Sequence, residues 1–286
     1  MNKVEIQQHI IQSLKVATHF DPRQEADKRL LFLMDYLRQK KLKTFVLGIS
    51  GGVDSTVAGR LAQLAVEGLR KETYPCHFIA VRLPYGKQAD EQDAQAAINF
   101  IQPDTVLTVN IKETCDQSLQ ALLSAGHVFD SADQQDFVLG NIKARERMIF
   151  QYAIAGTHQG LVIGTDHAAE ALMGFFTKYG DGASDIVPLY GLNKRRVKKI
   201  GEYLEAPATL VQKKPTADLE NLKPQRLDED AYGITYDEID DFLEAKPVSD
   251  HVYNTIIAAY NRSEHKRHLP IMPTDEKIDF IIESLR

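Results

Sequence analysis

The sequence predicts an α/β protein built on a doubly wound parallel sheet, with helical additions at both ends. Three observations carry this prediction. Residues 44–49, 77–83, 105–109 and 161–164 are apolar runs too short for core helices, and they read as buried parallel strands. Segments with helical apolar spacing lie between them, the alternation that βαβ units produce. The first run passes through a glycine turn straight into a helix. Right-handed crossovers then place helices on both sheet faces.

Each element has its own signal. Residues 3–17 place Val4, Ile6, Ile10, Ile11 and Leu14 near helical spacing. A helix over 22–39 has Asp21 as N-cap, Pro22 at the first position, and Leu30, Leu33, Met34 and Leu37 on one face. The helix after the first strand runs to about Arg70. Further helices are predicted over 88–101, 112–124 and 137–155, and from His167 onward. Periodicity stops after Met173. Residues 174–191 and 212–234 are rich in Gly, Pro, Asp and Thr and read as long functional loops. Lys194 opens a basic helix, and short helices over 235–244, 249–261 and 274–285 close the chain. No internal repeat or linker divides the sequence, so residues 1–286 are expected to form one domain.

Composition narrows the function. With 286 residues, 43% of them hydrophobic and 26% charged, the chain can bury a core without staples. No run of about 18 uncharged apolar residues occurs, so no membrane-spanning helix is expected. The first twenty residues lack an apolar stretch followed by a small-residue cleavage site, which leads to the expectation of a cytoplasmic protein. Cys76 and Cys115 are isolated and suggest neither a metal pair nor a disulfide framework. Lys and Arg number 34 against 40 Asp and Glu, a net charge of −6 that argues against nucleic acid as a partner. Any phosphate must therefore be bound by a local site, with help from a metal.

Gly48-Ile49-Ser50-Gly51-Gly52-Val53-Asp54-Ser55 is that site. At a strand-to-helix turn the first helical N–H groups have no internal partner and the dipole is positive, which suits an anion. Gly51 and Gly52 allow close approach, and Ser50 and Ser55 add hydroxyl donors. Asp54 would repel phosphate unless Mg²⁺ bridges the two. The plain alternative is a glycine turn with Asp54 as a helix cap. Average residue frequencies give roughly three chance matches to S-G-G-x-D-S in ten thousand chains of this length, which favours the functional reading. The Gly-Lys-Ser/Thr ending of a Walker A loop and the G-x-G-x-x-G dinucleotide fingerprint are both missing.

This loop resembles the pyrophosphate loop of the N-type ATP pyrophosphatases. That superfamily cleaves ATP between the α and β phosphates and adenylates an oxygen of the substrate, after which a nucleophile displaces AMP. GMP, argininosuccinate and asparagine synthetases share the loop, as do tRNA-modifying enzymes. The remaining motifs resemble the ammonia-dependent NAD synthetases. They are Arg82-Leu83-Pro84-Tyr85-Gly86 with 88–93, Lys143-Ala144-Arg145-Glu146-Arg147-Met148, Gly164-Thr165-Asp166-His167-Ala168-Ala169-Glu170, residues 174–182, Pro215-Thr216-Ala217-Asp218-Leu219 and Glu264-His265-Lys266-Arg267. The resemblance spans about residues 20–272. One departure is Val53, where many NAD synthetases carry glutamine and GMP synthetases carry valine; its side chain is expected to point away from the phosphates.

The resemblance implies an adenine nucleotide alpha hydrolase-like fold and a set of residue roles. Asp54 and Glu170 hold Mg²⁺ on ATP. The loop 48–55, Arg82, Thr165, Lys194 and Thr216 bind ATP. Arg145, Lys178, Asp185, His265 and Lys266 bind deamido-NAD. Asp54, Lys178 and Asp181 are catalytic, Asp181 being assigned to ammonia positioning or deprotonation. Without the resemblance, Arg145 and Lys194 would read as solvated helix charges, Glu170 as a surface residue and His265-Lys266 as surface decoration. The implied reaction joins deamido-NAD, ATP and free ammonia through an acyl-adenylate, in a homodimer, with both glycine-rich loops closing on substrate. A GMP synthetase-type amidating enzyme is the first alternative, and a catalytically dead nucleotide-binding scaffold is the second.

Overall fold

The computed structural model describes residues 2–87, 90–217, 219–222, 224, 226–268 and 270. Helix α1 (Lys3–Ser13) is closed at its start by a capping box of Asn2 and Glu5. Helix α2 (Pro22–Gln39) starts as predicted, with Asp21 accepting the Gln24 N–H and Pro22 in the first turn. Strand β1 (Thr44–Gly48) leads into α3 (Val53–Lys71), and β2 (His77–Arg82) into α4 (Glu91–Ile101). Strand β3 (Thr105–Thr108), helices α5 (Lys112–Ser124) and α6 (Ala132–Thr157), strand β4 (Gly160–Val162) and helix α7 (Ala168–Met173) follow. Helices α8 (Lys194–Tyr203) and α9 (Ala208–Val211) precede a two-stranded antiparallel ribbon, β5 (Thr216–Ala217) with β6 (Arg226–Leu227). Helices α10 (Asp228–Tyr232), α11 (Tyr236–Leu243) and α12 (Asp250–Arg262) come last, before a 3₁₀ turn at Glu264–Lys266.

The four long-range strands pair in parallel in the order β3-β2-β1-β4. After β3 the chain crosses to the opposite side of β1, so the switch point lies between β1 and β4. Ligands of open α/β sheets bind at the carboxyl ends of the strands flanking such a switch. Alternation along the strands splits the core. Phe45, Leu47, Phe78 and Ala80 pack with α2, α3, α4 and α8 on one face, while Val46, Ile79, Val81 and Val162 face α5 and α6 on the other. A third apolar cluster joins α1, α7, α11 and α12. The terminal helices thus form the predicted addition, and it packs on α7.

Several boundaries differ from the sequence reading. The first helix stops at Ser13 because Lys15 takes a left-handed conformation (φ 57°), although Leu14 and Val16 remain buried. The helix predicted from Phe137 begins five residues earlier, capped by Ser131; its first turns are polar and carry no apolar period. The fourth strand runs 160–162 rather than 161–164, and Ile163 instead makes a single bridge to Ile186. The helix expected from residue 88 starts at Glu91, and residues 88 and 89 lie outside those described. The expected loop 212–234 contains β5, β6 and α10, elements too short to show a period. The helix expected over 274–285 lies outside the described residues.

One glycine anchors the end of α7. Gly174 has φ +64°, and a Cβ there would stand 2.0 Å from Ser263 Cβ. Gly174→Ala should therefore cost about 2–4 kcal/mol, from left-handed strain plus overpacking. Urea unfolding measures this, and a loss below 1 kcal/mol would contradict the tight α7–α12 contact.

Candidate active site

The loops after β1 and β4 open into one cleft of about 440 Å³ at the switch point. Its floor is the glycine loop. Gly51 has φ +87°, and a Cβ there would meet the Ala94 backbone nitrogen at 2.6 Å, so only glycine lets α4 abut the loop. Gly52 brings no side chain to cap α3, leaving the first helical N–H groups to a ligand or water. Ser50 and Ser55 hydroxyls lie 3.2 Å apart, and Thr56 Oγ1 donates to the Gly52 carbonyl at 2.7 Å. Gln151 of α6 braces the entry by accepting the Gly48 N–H at 2.7 Å. Val53 is buried in the core cluster beneath α3, as expected.

Above the loop stands a buried ammonium between two carboxylates. Lys194 Nζ, on a side chain 2% exposed, lies 2.8 Å from Asp54 Oδ2 and 3.8 Å from Glu170 Oε1. It also sits 4.9 Å from the Tyr236 ring centre. Burial lowers the Lys194 pKa, but Asp54 and Glu170 outweigh that and hold it above the usual lysine value. Burial raises the Asp54 carboxyl, yet Lys194 and His167 bring it below the usual range. Glu170 has no such balance: burial pushes it well up, Lys194 only partly opposes, and Asp54, Asp166 and Asp228 add to the rise. One ammonium thus satisfies the nearer carboxylate and leaves the other short of positive charge.

The lysine is placed from outside the sheet. Asp240 of α11 accepts the Lys194 N–H at 3.1 Å and the Arg195 N–H at 2.6 Å, fixing the start of α8. Asn193 completes the cap by accepting the Arg196 N–H at 2.9 Å.

The structure gathers most of the predicted residues. Gly48, Ile49, Ser50, Gly52, Val53, Asp54, Ser55, Thr165, Glu170, Asp181, Lys194, Thr216 and Lys266 all line the cleft. Asp181 accepts the Thr177 N–H at 2.9 Å, and its carboxyl is raised by desolvation against the pull of Arg147 and Lys266. Lys266 donates to the carbonyls of Gly174 and Phe176 at 2.9 and 2.8 Å, tying the C-terminal turn to the glycine-rich loop.

Other predicted residues stand apart. Arg145, Lys178 and His265 form a neighbouring group: Arg145 reaches the Lys178 carbonyl at 3.3 Å, and Lys178 Nζ donates to the His265 carbonyl. Arg82 is buried and bonded to Glu91 at 2.7 Å, outside the cleft lining, because the acidic start of α4 captures it. Asp185 accepts the Val162 N–H at 2.8 Å at the edge of β4. Gly51 lies under the loop, against α4.

Sequence reasoning missed several members. His167, fully buried, has Nδ1 accepting the Glu170 N–H while Nε2 lies 3.5 Å from Asp54 and 3.4 Å from Glu170. Its position three residues before Glu170 was the available signal, since that is capping spacing. Asp228 lines the cleft and takes the Tyr236 hydroxyl at 2.9 Å. Asp166 is pushed up to about 8 by burial together with Asp181 and Asp54. Asp228 lay in a segment without periodicity.

The family model described as NAD synthase matches residues 25–270 of this chain. A Burkholderia cenocepacia protein named NH(3)-dependent NAD(+) synthetase is 61% identical over 264 residues, covering 92% of this chain and 94% of that one. The solved NAD+ synthetase of Burkholderia pseudomallei is 54% identical, with a TM-score of 0.82, over 94% of this chain and 98% of that one. The solved NMN synthetase of Francisella tularensis is 36% identical, with a TM-score of 0.78, over 90% and 100%.

The site makes stability depend on pH through His167. Burial, then the Lys194 charge, pushes its pKa from 6.5 down to about 3. Between those values the unfolded chain binds a proton that the folded chain refuses. This contribution is therefore complete above about pH 6.5 and is lost as pH falls towards 3. The stability of wild type relative to His167→Gln should rise with pH across that window, by up to about 1.4 kcal/mol per unit. Urea unfolding at pH 4.5, 5.5 and 6.5 tests this; a flat difference would mean the folded ring is charged.

Proposed function

This chain belongs to the NAD synthase family, and on that premise we propose how its residues carry out the family reaction. The activity is the ATP-dependent amidation of deamido-NAD to NAD, an AMP-forming ligation through an acyl-adenylate with release of pyrophosphate. The observation that carries the residue assignment is the convergence of the glycine loop, Asp54, Glu170 and Lys194 at the switch point.

Mg²⁺ fits the donor set. Asp54 Oδ1 is buried without a hydrogen-bond partner, and Glu170 lacks enough positive charge around it. Two carboxylate oxygens beside a phosphate site are what this ion takes. Asp54 and Glu170 would hold it, and the ion would neutralise the phosphates while the α-phosphorus is attacked. The N–H groups at the start of α3 and the Ser50 and Ser55 hydroxyls bind the departing pyrophosphate. Lys194, kept charged by its carboxylates, adds a donor on the same side. Thr165 and Thr216 complete the ATP site. Arg145, Lys178, His265, Lys266 and Asp185 serve deamido-NAD, whose nicotinate carboxylate is the attacking oxygen.

Free ammonia is the proposed nitrogen source. Its nitrogen attacks the acyl carbon and expels AMP, with Asp181 beside it to receive a proton; the raised carboxyl of Asp181 suits that task. Neither thiol suits a glutamine-splitting step. Both cysteines are buried, and Cys115 is pushed up to about 11, chiefly by burial. No helix among the described residues is long and apolar enough to cross a membrane, which fits a cytoplasmic enzyme.

A homodimer through α5 and α6 is the proposed assembly. Ile149 on α6, the helix that carries Arg145, and Leu122 and Leu123 on the adjoining α5 are large exposed apolar side chains that a second copy would cover.

Purified protein with ATP, Mg²⁺, deamido-NAD and ammonium should form NAD and AMP in equal amounts, with NMN formation from the mononucleotide acid measured beside it. Asp54→Asn and Glu170→Gln should each lower pyrophosphate release at least a hundredfold without unfolding the chain. Near-normal turnover of either at saturating Mg²⁺ would sink the metal assignment, and ATP binding without pyrophosphate release by wild type would sink the reaction.

Ile149→Glu should convert a particle of twice the chain mass into a monomer in sedimentation. A wild type that is already monomeric at micromolar concentration removes the dimer.

A further inference from the structure

A second set of buried charges lies away from the phosphate centre. Asp136, Gly140 and Lys143 are four and three residues apart on α6, and so share one helix face. Asp136 is 7% exposed and Lys143 2%. The Asp136 carboxylate accepts the Asn221 N–H at 2.9 Å and the Leu222 N–H at 2.7 Å. Lys143 Nζ donates to the Leu219 carbonyl and to Asn221 Oδ1, both at 2.7 Å, and lies 4.0 Å from the Tyr85 ring centre. Between the two charges, a Cβ on Gly140 would stand 3.1 Å from Leu219 Cβ and 3.3 Å from its carbonyl oxygen. The missing side chain lets residues 219–222 lie down on the helix.

Burying a carboxylate and an ammonium costs several kcal/mol unless each finds partners. Among their partners are the backbone and one side chain of a short surface segment. Leu219 and Glu220 belong to the wall of the cleft, whereas Asp136 and Lys143 are not among its lining residues. These charges are therefore placed to hold a wall, not to touch a ligand.

We propose that Asp136 and Lys143 are positioning residues that clamp residues 219–222 over the cleft and so keep water from the acyl-adenylate. The proposal rests on the amidating function above. In the productive step ammonia forms the C–N bond, the C–O bond to AMP breaks with its electron pair, and nitrogen releases a proton. If water reaches the same carbon, its oxygen forms a C–O bond, AMP leaves, a proton is released, and deamido-NAD is regenerated. ATP is then consumed without NAD. A firm wall gives one NAD per AMP; a loosened wall gives more AMP than NAD.

The test counts AMP and NAD from the full-length protein at saturating ATP, Mg²⁺ and deamido-NAD over a range of ammonium. Lys143→Met and Asn221→Ala should raise the AMP:NAD ratio severalfold at low ammonium, falling back towards one as ammonium outcompetes water. Hydrogen exchange of the peptide spanning 219–222 should quicken at least tenfold in Asp136→Ala. A ratio equal to wild type at every ammonium concentration, or unchanged exchange, overturns the clamp. If Lys143→Met fails to fold, Asn221→Ala decides, because it removes one acceptor from an exposed residue. A wild type that makes no NAD refutes the function itself, a different result from a wild type that makes NAD with coupled variants.

Discussion

The buried ammonium of Lys194 is the constraint on which the site depends. An ion removed from water is tolerated only where opposite charges and hydrogen bonds meet it closely. That requirement ties three separate elements together, Asp54 on α3, Glu170 on α7 and Lys194 on α8. None of the three could be repositioned alone without stranding a charge. The sheet supplies the geometry, since its switch point sets the end of β1 beside the end of β4. The helical addition supplies the precision, through the Asp240 carboxylate that receives two N–H groups at the start of α8. The terminal helices are in this sense part of the cleft, because Asp240 fixes the start of α8 and so the position of Lys194.

A second consequence concerns charge. The centre is rich in carboxylates: Asp54, Asp166 and Asp228 act on Glu170, and Asp181 and Asp54 act on Asp166. Such a cluster would be repulsive to a polyphosphate and unstable by itself. The divalent cation proposed for Asp54 and Glu170 would lower that penalty. The raised carboxyl of Glu170 expresses this imbalance, whereas that of Asp181 is raised by burial alone.

The walls of the cleft obey different physics. Among the described residues, 174–182 and 219–222 are held in good part by individual polar contacts. Lys266 secures the first through two carbonyls, and Asp136 and Lys143 secure the second through four hydrogen bonds. Contacts of this kind, each worth about 1–3 kcal/mol with a charged partner, can open and re-form without disturbing the core.

Local signals in the chain were enough for the sheet and for the glycine loop. The order of strands and helices, the Asp21-Pro22 cap and the S-G-G-x-D-S turn depend on neighbours within a few residues, and they stand in the structure, whereas several element ends shifted. Thr165, Glu170 and Lys194 were legible through family motifs, and they do converge on the cleft. Only the tertiary structure decided what long-range charge pairing controls. It buried Lys143 against Leu219 and Asn221 and paired Arg82 with Glu91. It also set His167 between two carboxylates and split the apparent loop 212–234 into a ribbon and a short helix. A side chain's periodicity says which face of its own helix it occupies; what it meets there depends on chain segments tens of residues away. Lys143 and Asn221, separated by 78 positions, could be matched only once both were folded onto α6.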